Sequence, residues 1–202
     1  MVKPHPIEHR IYSGNVQLQQ QRKTPPKITG YAAVFNSFSV PLGGFKEIIK
    51  PGALDEVLQE DVRALFNHDP NFILGRRTAG TLTLSVDDKG LWYEITAPET
   101  ETIHDLVLAP LQRGDINQSS FSFVVAPGAE HWYEEANGAV VREIHQMSAL
   151  FDVGPVTSPA YEQTLSSLRA CLDERQGDSH HPLMTARAQQ HARERVLMLS
   201  EI

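Results

Sequence analysis

Three short stretches, far apart along the chain, carry side chains able to move a proton or attack a carbonyl. His68 closes the run Leu65-Phe66-Asn67 and precedes Asp69-Pro70; an imidazole at the end of an apolar strand is placed to take up a proton near neutral pH. Ser120 and Ser122 interleave with Phe121 and Phe123, and the period of two puts both hydroxyls on one strand face and both rings on the other. Asp152 lies near the end of Leu150-Phe151-Asp152-Val153-Gly154-Pro155, where a part-buried carboxylate fixes the tautomer of a neighbouring imidazole. Glu143 and His145 are rivals for that third place. Each cluster alone also has an ordinary structural explanation: a loop histidine bonding backbone, serines capping a strand, an aspartate closing a turn. Together they offer a hydroxyl, an imidazole and a carboxylate, the side-chain types on which nucleophilic acyl transfer draws.

Other chemistries find little support. There is no Gly-x-Ser-x-Gly elbow, no His-Glu-x-x-His and no phosphate-cradling glycine loop. Cys171 is the only cysteine, so neither an internal disulfide nor a cysteine-rich metal cage can form, and no metal or cofactor is expected. The formal net charge of −7 lacks the basic excess of a phosphate-neutralising surface, which argues against nucleic acid as a partner. The start reads as no signal peptide and no window reaches the length of a membrane span, so neither secretion nor a membrane partner is expected. Apolar residues at 41% and charged residues at 21% describe a folded chain of one domain with tails.

The elements that must position these clusters can be read from period and punctuation. Ile28–Phe35, Phe45–Ile49, Val62–Asn67, Thr81–Val86, Leu91–Ile95, Ser120–Val125, Val140–Ile144 and Met147–Val153 read as strands. Asp87-Asp88-Lys89-Gly90 marks a hairpin turn. Helical spacing is seen at Ala53–Leu58, with Leu54, Val57 and Leu58 on one face, and at Thr100–Gln112, where Gly114 is the stop and Pro110 should distort the last turn. The polar, Pro-rich residues 1–26 read as a flexible N-terminal arm. The folded unit is expected over 27–172. Residues 173–202 read as a C-terminal tail with an amphipathic helical segment at Met184–Ile202. The strands do not alternate with helices, so the expectation is an α+β protein built mainly from an antiparallel β-barrel of about seven strands with peripheral helices.

The ordered strings Gly30-Tyr31-Ala32-Ala33-Val34-Phe35-Asn36, Glu47-Ile48-Ile49-Lys50-Pro51-Gly52-Ala53-Leu54, Leu65-Phe66-Asn67-His68-Asp69, Leu74-Gly75-Arg76, Ser119-Ser120-Phe121-Ser122-Phe123 and Val153-Gly154-Pro155-Val156-Thr157-Ser158-Pro159-Ala160-Tyr161 resemble the prohead maturation proteases of tailed bacteriophages, relatives of the herpesvirus assemblin proteases. The resemblance covers roughly residues 29–168. It implies a herpesvirus-protease-like fold and a serine endopeptidase in which the serine before Phe-x-Phe, Ser120, is the nucleophile and His68 the general base. Asp152 takes the third place, with His145 in reserve. Ser122 stands where that family usually has glycine, and Gly154 where serine is more usual. The implied substrates are the scaffold, the N-terminal arm of the major capsid protein and the protease's own tail, cut inside the procapsid in the host cytoplasm. Self-association is left open, and the alternative is an inactive scaffold or assembly-binding protein of the same fold.

Overall fold

A computed structural model describes residues 6–13, 16–20, 24–42 and 44–157. The end of the expected folded unit at 158–172, Cys171 within it, and the tail at 173–202 lie outside the described residues. The strands in chain order are β1 (Glu8–Ser13), β2 (Gln17–Gln19), β3 (Lys27–Val34), β4 (Phe45–Ile49), β5 (Arg63–Leu65) and β6 (Ile73–Arg76). They are followed by β7 (Leu82–Val86), β8 (Gly90–Thr96), β9 (Gln118–Val125), β10 (Glu130–Glu134), β11 (Val140–Ile144) and β12 (Met147–Val156).

These strands form three sheets, ordered β1-β9-β12-β5-β6, β10-β11-β4 and β2-β3-β8-β7. The closed antiparallel barrel expected from sequence is not what forms among the described residues: none of the three sheets closes on itself, and two pairings, β4 with β11 and β5 with β12, are parallel. Strand existence follows from local alternation, but closure and direction depend on which distant strands meet, which no local pattern encodes. The stretch read as a flexible arm also differs: residues 8–13 and 17–19 are strands, and β1 runs antiparallel along β9. Its polar residues hid an alternation, Glu8, Arg10 and Tyr12 against His9 and Ile11, that a buried charged partner makes useful. Ala53–Leu58 is not a helix either. Ala53, Asp55 and Val57 each donate to the carbonyl three residues back, a chain of turns that still buries Ala53, Leu54 and Val57.

The hairpin β7-β8 forms where expected. Asp87 Oδ1 accepts from the backbone N–H groups of Lys89 and Gly90 at 2.8 and 2.9 Å, an aspartate turn of the kind that short acidic side chains favour. The helical stretch runs through Glu101–Ile103, His104–Leu108 and Ala109–Arg113, with the middle segment wound as a π-helix and the end at Gly114 in the left-handed region. The widened turn comes just before Pro110, a ring that cannot continue regular i to i−4 bonding.

The core lies beneath β9. Phe121 and Phe123 are wholly buried and stack at 4.7 Å, joined by Ile28, Tyr93, Ile95, Met147 and Leu150. Full burial of each ring contributes about 2–3 kcal/mol. That burial fixes which face of β9 turns inward, and therefore which face presents Ser120 and Ser122.

Candidate active site

Ser120, His68 and Asp152 come from three different elements that meet on the outer face of the first sheet. Ser120 lies on β9, anchored by its aromatic neighbours and by Ser119, whose hydroxyl meets the buried Tyr93 hydroxyl at 2.6 Å. Asp152 owes its direction to a bulge in β12. Leu150 pairs with Phe123, but the register slips so that Asp152 pairs with Ser122 and Val153 with Phe121. The extra residue, Phe151, is pushed toward solvent at 40% exposure. Without that slip, Asp152 would share a face with Leu150 and point into the core.

His68 is delivered by a turn after β5. Asn67 and His68 both have positive φ, 55° and 58°, a left-handed conformation costing roughly 1–2 kcal/mol per residue that Asn and His tolerate better than most. Asn67 holds the turn to the end of β12: its N–H donates to the Pro155 carbonyl at 3.2 Å, and its side-chain oxygen accepts from the Thr157 N–H at 2.9 Å. Asp69 caps the same turn, accepting from the Asn71 N–H at 2.8 Å. Strain concentrated at one histidine and held by neighbours on both sides is a feature of sites that need a fixed side chain.

His68 Nε2 lies 2.6 Å from Ser120 Oγ, and His68 Nδ1 lies 2.5 Å from Asp152 Oδ1. In a neutral imidazole, Nδ1–H donates to the carboxylate and the Nε2 lone pair faces the hydroxyl, the arrangement from which a serine loses its proton as it attacks. The rivals are elsewhere: His145 Nε2 pairs with Glu143 Oε2 at 3.3 Å, and Glu143 also reaches Lys50 at 3.5 Å. Arg76, a candidate oxyanion donor on charge alone, is held at the surface by Asp61. The backbone at Gly154 runs opposite Ser120 in the β9-β12 ladder. A Cβ there would stand 2.1 Å from the Leu65 carbonyl oxygen, so glycine at 154 is what lets β12 lie this close to β5.

Three side chains that sequence reasoning left in the arm, His9, Glu8 and Arg10, belong to this neighbourhood. Ser122 Oγ lies 3.0 Å from His68 Nδ1 and 2.7 Å from His9 Nδ1, and the two imidazole rings meet edge to face at 4.4 Å. Burial first, and then the proximity of His68, pull the His9 pKa down to about 4, so His9 is neutral near pH 7 and its Nδ1 accepts the Ser122 proton. On the reverse face of β1, Glu8 and Arg10 enter a buried charge cluster. Arg10 bonds Glu47 at 2.7 Å through both Nε and a terminal nitrogen, and also Glu8. Arg142 reaches Glu8 at 2.6 Å, Glu47 at 3.0 Å and Glu130 at 2.5 Å. Burial alone would raise the Glu8 carboxyl, but Arg10 and Arg142 outweigh it and hold the pKa at about 2. Burial would likewise lower the Arg10 guanidinium, and Glu47 and Glu8 more than reverse that.

A hydroxyl, an imidazole and a carboxylate in hydrogen-bonded series on a mostly β scaffold are the parts from which a peptidase activates serine. The profile of the caudovirus prohead serine protease family matches residues 15–176; the chain belongs to that family and is a protease of phage capsid maturation. The solved structure of the bacteriophage T4 capsid assembly protease is similar at 10% identity and a TM-score of 0.47, covering 78% of this chain and 100% of that one. No curated protein matches the sequence. Among the described residues no helix is long and apolar enough to cross a membrane.

Proposed function

We propose that this chain is a prohead serine endopeptidase with Ser120 as nucleophile, His68 as general base and then general acid, and Asp152 as the group that orients the imidazole and offsets its charge. Ser120 Oγ attacks the scissile carbonyl carbon while its proton passes to His68 Nε2. The C–N bond breaks as His68 returns that proton to the leaving amine. Water, deprotonated by the same nitrogen, then hydrolyses the acyl-enzyme and frees Ser120. The observation that carries this reading is the unbroken series from Ser120 Oγ to Asp152 Oδ1 at 2.6 and 2.5 Å.

Its substrates are the scaffold, the N-terminal arm of the major capsid protein and its own C-terminal tail beyond residue 172, met inside the procapsid. Confinement there supplies a high effective concentration, so a modest active site suffices. Co-expression with the capsid protein and scaffold, followed by mass analysis of fragments, tests it. Cleavage is expected from the unaltered chain and is lost in Ser120→Ala, by roughly three or more orders of magnitude in rate. Fragments that persist with Ser120→Ala would sink the assignment.

A further inference from the structure

Ser120 is 0% exposed and Ser122 only 1%, and the element lying along their strand is β1. Ile11 stands opposite Ser120 and His9 opposite Ser122 in an antiparallel pairing, and Ser120 Oγ donates to the Arg10 carbonyl at 2.9 Å. A backbone carbonyl of an extended segment thus already sits at the nucleophile. Strand addition along an edge is a general way for a protein to hold an extended peptide, with main-chain bonds supplying affinity and alternate side chains supplying selectivity. In β1 the alternate side chains are Glu8 and Arg10, met by Arg142 and Glu47.

The charges of this contact are matched in pairs. Glu8 and Arg10 are bonded to each other within β1, and Glu47 and Arg142 are bonded to each other at 3.0 Å behind it. Withdrawal of β1 therefore removes one acid and one base and leaves Glu47 paired with Arg142, which the part-exposed Glu130 also meets, so no buried charge is left alone, a state that carries a large penalty. The hydroxyl has one proton for two acceptors: given to the Arg10 carbonyl oxygen, it is withheld from His68 Nε2.

We propose that the β1 position is the substrate cleft of this protease, filled in the resting chain by its own N-terminal strand, and that it takes extended peptides carrying an acidic and a basic side chain two positions apart, read by Arg142 and Glu47. This rests on the reading of Ser120 as nucleophile, and activity requires β1 to leave β9.

The test uses the full chain with Ser120→Ala, Cys171→Ser and the facing pair Tyr12→Cys and Ser119→Cys. Directly opposed antiparallel residues lie within disulfide range. The probe is a fluorescent synthetic peptide of the sequence at residues 6–13. Reduced chain is expected to bind it and oxidised chain to bind at least tenfold more weakly, with exchange of the Glu and Arg positions in the peptide costing a further tenfold or more in the reduced form. Equal binding in both redox states, no binding to the reduced chain, or indifference to the exchange overturns the proposal. Should the double cysteine chain not fold, amide hydrogen exchange across Glu8–Ser13 in the Ser120→Ala chain decides: added peptide accelerates it if β1 is displaced, and unchanged exchange overturns the idea. Catalysis is read separately, by fluorophosphonate labelling of the same cysteine pair with Ser120 intact. Labelling is expected only after reduction, and labelling of the oxidised form would also overturn the proposal. Peptide binding as expected, with labelling in neither state, leaves the cleft in place and removes Ser120 as nucleophile.

Discussion

The two faces of the β1-β9 pair hold opposite kinds of polar chemistry. On the outer face, His9, Ser122, His68, Ser120 and Asp152 are linked by short hydrogen bonds through which a proton can pass. On the inner face, Glu8, Arg10, Glu47 and Arg142 are locked in fixed opposite charges. The first arrangement is poised to change protonation state. The second is arranged never to do so, because Arg10 and Arg142 outweigh the effect of burial and hold Glu8 ionised down to about pH 2. One short strand can therefore carry both a site that must respond and a clamp that must not, because successive side chains point to opposite sides.

If that division is right, changes on the outer face should cost activity and changes on the inner face stability. The largest effect expected is Asp152→Asn. An amide in place of the carboxylate favours the wrong imidazole tautomer and removes the charge that stabilises the imidazolium, so kcat should fall by about 10³–10⁴. The melting temperature should move little by comparison. Single-turnover cleavage of a peptide substrate, paired with calorimetry, checks both halves, and a large loss of stability with modest loss of rate would erase the distinction between the faces.

The matching experiment on the inner face is Arg142→Met. Arg142 contacts Glu8, Glu47 and Glu130, and its loss leaves Glu8 and Glu47 to share Arg10 and takes from Glu130 its bond to Arg142. Breaking a buried pair in this way costs about 3–5 kcal/mol, visible as a lower denaturation midpoint in urea. Removing one of the uncompensated acids with Glu8→Gln on top should recover part of it. A double variant no more stable than the single one would mean that the cluster is not balanced by charge.

How much of this was open to the sequence differs between the faces. The outer face was legible where a side chain's chemistry and strand period coincide, at His68, at the Ser120-Phe121-Ser122-Phe123 alternation and at Asp152. What the local pattern could not supply was the bulge at Phe151, which arises from how β12 pairs with β9, or the left-handed turn at Asn67 and His68, which is held by Pro155 and Thr157. The inner face was missed altogether. Glu8 and Arg10 in a polar opening read as solvated arm, since burial of a charged pair is visible only when its distant partners Glu47 and Arg142 are known. The barrel expectation failed for a related reason, for strand period says nothing about whether the last strand meets the first.

Acid should separate the two faces without any substitution. His9 titrates near 4 in the folded chain against about 6.5 when unfolded, because burial and then His68 disfavour its charged form. Between those values the unfolded chain binds more protons, so stability rises with pH there: the contribution is fully present above about 6.5 and is lost as pH falls toward 4. With His9 partly exposed, a discounted magnitude of about 2 kcal/mol is expected. Glu8 contributes stability present above its ordinary carboxylate range and lost only as pH falls through about 2. Chemical denaturation across pH should thus show a first loss between 6.5 and 4 that His9→Gln abolishes, followed by a second at much lower pH that it leaves alone.

The smallest effect belongs to Ser122→Gly, which removes the hydroxyl between His9 and His68. Asp152 still holds the imidazole at 2.5 Å, so His68 keeps its principal partner and kcat should drop by only about fivefold, in line with a single neutral hydrogen bond of about 1 kcal/mol. The pH dependence of kcat/KM tells whether that bond acts on the base or merely on packing. A displaced lower limb with KM unchanged ties Ser122 to His68, whereas a uniform loss at every pH would assign the hydroxyl to the structure of β9 and detach His9 from the catalytic face.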